Sequence, residues 1–345
     1  MRWPDARVAF ALGLLSLVVL GSRTAVGDEP ASVEIPVPSA AAIFRDPQLQ
    51  KWWALDAIAP FEDKAPLWKH RDPALQRDLE AVLARLHLDD DVRRKRLSVA
   101  LVDVTDVKRP RMAEVNGDVM MYAASLPKIA VLLAAFEMIA TGQLEYDRKT
   151  RKLLEAMIRR SSNEATTLIM QKVGKENIAR VLLSPRYRLY DPARGGGLWV
   201  GKDYAKKGLW KRDPLHNLSH GATAMQVARF YYLLETGNLV TPAHSEMMKK
   251  ILEGSDLKHK FVAGLLYVAP GAKLLRKSGS WRNFHSDSAL VRRGKKTYIL
   301  VGLSNDKDGG QWMVDIAAAI DGMLRDRGQK NAVSGPGPGP ERKHR

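Results

Sequence analysis

The sequence contains no cysteine. That excludes disulfides, thiol catalysis, cysteine-based metal sites and the lipoprotein anchor, which needs a cysteine behind the cleavage site. Acidic residues are also scarce, with 38 Asp and Glu against 55 Lys and Arg and a formal net charge of +17. The excess is scattered, in "VRRKR" at 92–96, in Lys-Lys pairs and in a terminal "ERKHR". There is no aromatic-interleaved basic stripe and no helix-turn-helix pattern, so nucleic acid is not the expected partner. Solubility, with electrostatic attraction to an anionic cell envelope, accounts better for such a spread.

What is present is an ordinary globular composition, 45% hydrophobic and 27% charged over 345 residues, enough to bury a sizeable core. The start differs from the rest. Arg2 and Arg7 precede an apolar stretch from Ala9 to Leu20, followed by Ala25-Val26-Gly27, a small-x-small cleavage pattern. Residues 1–27 are therefore predicted to be a cleavable signal peptide, with a periplasmic or secreted mature chain carrying +15. A Pro- and Ala-rich linker and extension, 28–71, holds Trp52, Trp53 and Trp68. A single catalytic body is expected over 72–327, and "GPGPGPERKHR" marks 328–345 as a disordered basic tail.

Within the body, "DPALQRDLEAVLARLHL" (72–88) has Asp72 as N-cap, Pro73 at the first helical position and an apolar face. "LSVALVDV" (97–104) reads as a strand, and Asn116-Gly117 between two short apolar runs (112–123) as a hairpin. Helical periodicity covers 126–141, 150–160, 163–173 and 175–183, then 222–237 and 241–254. Residues 184–222 are a long loop or a set of short turns with three consecutive glycines at 195–197. Three strands follow, in "AKLLRKSGSW", "HSDSALVRR" and "KTYILVGLSN", and an amphipathic helix over 309–328 closes the body. Strands from both ends can join in one antiparallel sheet flanked by the terminal helices. The middle then forms a helical lobe, with a cleft between the two in this α/β (α+β) arrangement.

Three short motifs carry chemistry toward that cleft. "YAASLPK" places Ser125 and Lys128 three residues apart at the mouth of an apolar helix, where the amine can reach the hydroxyl. A lysine works as a base only if burial or neighbouring positive charge lowers its pKa. Ser-x-x-Lys recurs at Ser255–Lys258 and Ser304–Lys307, so the spacing alone is weak. "RRSSNEATTLIM" adds Ser161 and Asn163 at a helix start, and "LLRKSGSW" adds Lys277-Ser278-Gly279 on a strand; neither Ser-x-Asn nor Lys-Ser-Gly recurs.

This ordered set resembles the penicillin-recognising serine enzymes, most of all class A β-lactamases, over roughly 72–327. The resemblance implies a β-lactamase/transpeptidase-like fold and a cofactor-free, metal-free monomer that forms an acyl-enzyme. Ser125 would be the acylated nucleophile and Lys128 its activator. Ser161 would relay a proton to the leaving nitrogen, and Asn163 would hold the substrate's amide side chain. Lys277 and Ser278 would bind its carboxylate beside Gly279, with the backbone N–H groups of Ser125 and Ser280 as oxyanion hole. Substrates would be β-lactams or D-alanyl peptidoglycan stems; a non-catalytic envelope-binding relative is the rival reading.

Three departures stand out. The middle motif has Ser162 where the family has aspartate, and the stretch between Ser125 and Ser161 is short, which should widen the site. Residues 184–222 contain no glutamate, the residue that activates the deacylating water in class A enzymes. Asp191, Asp203, Asp213 and His216 are the bases on offer there, none in the family's pattern, and Glu164 reads as a solvated helix residue. Acylation with slow release is the expected outcome.

Overall fold

A computed structural model describes residues 47–48, 66–208 and 210–333, with the side chains of 328–333 left aside. The signal-peptide reading, Trp52, Trp53 and the end of the basic tail lie outside the described residues.

The alternation of small and branched residues in the strands dictates the layers. Strands β1 (Leu97–Asp103), β2 (Arg111–Val115), β8 (Lys273–Trp281), β9 (Phe284–Arg293) and β10 (Lys296–Asn305) form an antiparallel sheet in the order β2-β1-β10-β9-β8. Leu97, Val99, Leu101, Ala289, Val291, Tyr298 and Leu300 face one way, into a core with the terminal helices α1 (Pro73–Arg85) and α10 (Gly309–Val333). Ala100, Val102, Leu290, Ile299, Val301 and Leu303 face the other way, into the core of the helical lobe. With a side-chain period of two, one sheet thus supplies both cores.

Asp72 caps α1 as expected, its Oδ1 accepting from Leu75 N at 2.7 Å, and Pro73 occupies the first turn. A short helix α2 (Asp89–Arg93) leads into β1. The helical lobe consists of α3 (Lys128–Ala140), α4 (Arg148–Arg159), α5 (Asn163–Val173), α6 (Lys175–Leu183), α7 (Ala224–Glu235) and α8 (Pro242–Leu252). A helix absent from the sequence reading, α9 (Phe261–Val268), packs beside α10. The closing helix reaches Val333, five residues past the predicted boundary at 328.

The hairpin at Asn116-Gly117 does not form. β1 and β2 are joined instead through 104–110, with Asp103 opposite Arg111. Asn116 does take a left-handed φ of +51°, but its Nδ2 donates to Val92 O (2.6 Å) and Leu97 O (2.9 Å), which ends β2 against the α2–β1 corner. The run beyond it, β3 (Met121–Tyr122), pairs with β7 (His220–Ala222), which pairs with β6 (Trp199–Val200).

Segment 184–222 is a chain of short turns and two-residue strands, including β4 (Tyr190–Asp191) and β5 (Gly196–Gly197). Its glycine triplet is required by space: a Cβ on Gly197 would lie 2.1 Å from Leu189 O.

Candidate active site

The Ser125 turn is reached from β3. Ala123 N donates to His220 O (2.9 Å), and Ala124 then adopts φ +50°, a left-handed conformation unfavourable for an alanine. That reversal projects Ser125 from the end of the strand. Leu126 N→Ala123 O (3.0 Å) and Lys128 N→Ser125 O (3.3 Å) close tight i→i+3 turns. Pro127, lacking an N–H, fits where no donor is needed. The helix itself begins at Lys128, two residues later than the sequence reading, so Ser125 stands in the lead-in turn. Residues 128–136 of α3 are all buried, which is why the run is apolar on every side.

The second wall is β8. A Cβ on Gly279 would sit 2.4 Å from Ala123 O and 2.6 Å from Ser125 N, so only glycine lets the strand lie against the Ser125 turn. Ser286 Oγ, on β9, spans the junction, 2.9 Å from Ala123 O and 3.3 Å from Gly279 O. Lys277 and Ser278 are buried and Ser280 is exposed. Behind them, Arg276 and Asp287 form an ion pair at 2.7 Å with side chains 1% and 0% exposed. The Arg276 guanidinium also donates to Leu257 O (2.8 Å) and His259 O (3.0 Å). Lys260 Nζ donates to Gly279 O (2.6 Å), Ser280 Oγ (2.8 Å) and Ser286 O (3.0 Å), and burial brings its pKa down to about 8.

The third element is the turn into α5. Its N-cap is Ser162, whose Oγ accepts from Ala165 N (3.1 Å), and not Ser161. Serine caps a helix about as well as aspartate, so the helix start is satisfied with Ser162 in that position. Ser161 takes φ +57° and its hydroxyl is left for the cleft. Lys277 Nζ donates to Ser161 Oγ at 2.9 Å and Lys128 Nζ lies 3.3 Å from the same oxygen. Lys128 Nζ also donates to Ser161 O (2.6 Å) and Asn163 Oδ1 (2.8 Å).

The structure therefore brings Ser125, Lys128, Ser161, Asn163 and Lys277–Ser280 to one place. One expected contact is missing: among the described residues no side-chain hydrogen bond joins Lys128 Nζ to Ser125 Oγ. Such bonds are often long before substrate arrives. Lys128 is fully buried, with the Tyr204 ring 4.6 Å from its Nζ, and burial lowers its pKa to about 7. Burial, and then the charge of Lys128, holds Lys277 well below the ordinary lysine value.

A cavity of about 520 Å³ opens in front, lined by Ser125, Asn163 and Ser280, and also by Tyr122, Lys202, Asp203, Tyr204, Lys206, His220 and Trp281. Sequence reasoning missed most of this second group, for which the density of aromatics and lysines in 199–211 was the available signal. Tyr204 Oη donates to Ala124 O (3.2 Å). His220 is buried against the Tyr204 ring, its Nε2 3.1 Å from Lys202 O, and burial lowers its pKa to about 4.

The bases offered by sequence fare differently. Asp203 lines the cavity but is paired with Lys175 at 3.0 Å. Asp191 is a turn cap accepting from Ala193 N, and Asp213 accepts from the backbone N–H groups of Leu215, His216 and Leu218. His216 reaches Gly195 O from an exposed position, and Glu164 is exposed on α5. Among the described residues no group of three His, Asp or Glu side chains could hold a metal ion.

An antiparallel sheet backed by terminal helices, facing a helical lobe across a Ser-x-x-Lys turn, is the β-lactamase/transpeptidase-like fold. A model of the Beta-lactamase enzyme family matches residues 75–152 and 149–322, and the chain belongs to that family. Among solved structures the fold is similar to that of PBP-A, with TM-score 0.55 and 15% identity over 74% of this chain and 97% of that one. It is similar to a PBP-A variant solved as an acyl-enzyme with penicillin G, with TM-score 0.55 and 16% identity over 74% and 98% of the two chains. A β-lactamase from Sphaerobacter thermophilus gives TM-score 0.54 and 17% identity over 75% and 99%. A comparison with curated proteins finds no match.

Proposed function

We propose that this chain is an exported β-lactamase-type serine hydrolase that opens β-lactams by acylating Ser125 and releases the acyl group slowly. The observation that carries it is the Ser161 hydroxyl between two buried amines, 2.9 Å from Lys277 Nζ and 3.3 Å from Lys128 Nζ, two residues from Asn163, which lines the Ser125 cavity. Two lysines kept out of water beside a hydroxyl are costly to hold charged, which suits them to proton transfer.

In this reading Ser125 Oγ attacks the acyl carbon and its proton passes to the neutral Lys128 Nζ. The Ser125 and Ser280 N–H groups receive the developing oxyanion. Ser161 gives its proton to the leaving nitrogen and regains one from the lysine ammonium that took the first. Asn163 orients the substrate amide, and Lys277 with Ser278 holds its carboxylate.

Release needs a water and a base. The cavity's one carboxylate, Asp203, is engaged by Lys175, and the Tyr204 ring covers Lys128. Both features favour a long-lived adduct, as in a penicillin-binding protein or a peptidase of D-alanyl-D-alanine stems. A periplasmic setting, as a monomer near an anionic envelope, fits the leader and the charge.

Intact-mass analysis over time after mixing with benzylpenicillin tests this. One penicillin mass should appear, persist long after excess drug is removed, and be absent from Ser125→Ala. Equal labelling of that variant would sink the assignment, and rapid turnover of a chromogenic cephalosporin would refute slow release.

A further inference from the structure

Beyond the reacting carbon, the 184–222 side of the cavity has an unusual charge balance. Lys202, half-buried, and Lys206, exposed, both line it, and neither has an acidic partner among the described residues. Asp203, the acid that lies between them in sequence, is neutralised by Lys175 at 3.0 Å. His220, with its pKa lowered to about 4, stays neutral near pH 7 and adds no charge. Two cationic side chains thus share this wall without a counter-charge, separate from the Lys277 position on β8. A half-buried cation without a partner gives up hydration and gains nothing until an anion arrives.

The cavity is also lined by aromatics. Tyr122 meets His220 edge-on at 6.2 Å, Tyr204 lies 4.3 Å from the same imidazole, and Trp281, 57% exposed, stands at the rim. Rings of this kind cover the flat body of a ligand while the lysines take its charged end.

We propose that Lys202 and Lys206 form a subsite for a second anion on the acyl side of the substrate. Resting on the acyl-transfer reading above, it makes the preferred substrate a dianion, with one carboxylate at Lys277 and another on the acyl substituent. The second carboxylate comes either from a β-lactam side chain or from an acidic residue of a peptide stem. In both cases the recognition is a charge-assisted hydrogen bond to lysine, aided by attraction over longer range.

The test compares two penicillins that differ by one carboxylate, benzylpenicillin and α-carboxybenzylpenicillin, by the second-order rate constant for labelling Ser125. The dianion should label about tenfold faster, the worth of one charge-assisted hydrogen bond. In Lys202→Gln/Lys206→Gln that ratio should fall to about one, and in the parent protein it should shrink as salt is raised. Circular dichroism checks that the variant is folded, and each single variant should lower the ratio part of the way. A ratio of one in the parent, or a ratio unchanged in the double variant, overturns the subsite while leaving acylation at Ser125 intact. If neither penicillin labels Ser125, the acyl-transfer reading falls and the subsite with it. D-alanyl-D-alanine peptides with and without an acidic residue on the acyl side distinguish the two sources: a carboxylate preference there that the double variant abolishes assigns the subsite to peptide.

Discussion

Two walls face each other across Ser125, and they are held by different means. On the sheet side, Lys277–Ser280 rest on a nine-residue strand backed by the buried Arg276–Asp287 pair and the three hydrogen bonds of Lys260. On the other side, Lys202, Tyr204 and Lys206 sit on a segment of turns and two-residue strands, tied by the Lys175–Asp203 pair and by Tyr204 Oη to Ala124 O. The groups proposed to hold the carboxylate and the oxyanion thus rest on a paired strand with a buried ionic backing, and those facing the rest of the substrate rest on turns. Chemistry tolerates little displacement, whereas recognition of varied acyl groups tolerates more.

The largest expected effect is between the two walls, at the start of α3. Lys128→Ala should slow acylation by about 10²–10⁴-fold, the usual cost of losing a positioned base, as measured by stopped-flow labelling. A loss smaller than tenfold would move the base function to Lys277. Next, Arg276→Ala should destabilise the fold by about 3–5 kcal/mol in urea titration, because it leaves Asp287 charged and buried. A small change there would mean that the support of β8 lies elsewhere.

The pH profile comes third. The acylation rate should rise with pH through about 7, since burial puts the Lys128 pKa there and only the neutral amine accepts a proton. A profile flat between pH 6 and 8 would show that this amine does not titrate in the rate-limiting step. Smallest is Asp203→Asn, which breaks a part-exposed ion pair and should cost no more than about 1 kcal/mol. Adduct lifetime should change little. Complete loss of release in that variant, with acylation intact, would make Asp203 the deacylation base after all.

The same contrast explains what could be read in advance. Ser125–Lys128, Ser161–Asn163 and Lys277–Ser280 were legible because each is a local device on a helix start or a strand, with spacing set by one element. The sheet was legible from its alternation. Tyr204, His220 and Lys202 were not, since what makes them matter is the packing of 184–222 against a turn some eighty residues away. The Asn116-Gly117 signal reported a real left-handed residue but not its use, because the side-chain amide found carbonyls in another element. α9 had no pattern to read: its eight residues are largely apolar, Lys260 before it offers no side-chain cap, and its first N–H donates instead to Asp287 of β9 at 3.1 Å. The N-cap of α5 is Ser162, which leaves the Ser161 hydroxyl free for the two lysines.

The two crowded amines beside Ser161 also make the protein a proton acceptor that its ligand controls. Burial, and then the neighbouring Lys128 charge, lower the Lys277 pKa well below the ordinary lysine value, and an anion arriving beside it raises it again. At any pH where the free amine is part-deprotonated, binding of a carboxylate then draws a proton from solution. The measured heat of binding will consequently depend on the buffer's own ionisation enthalpy, and affinity for anionic ligands will weaken as the medium becomes more alkaline.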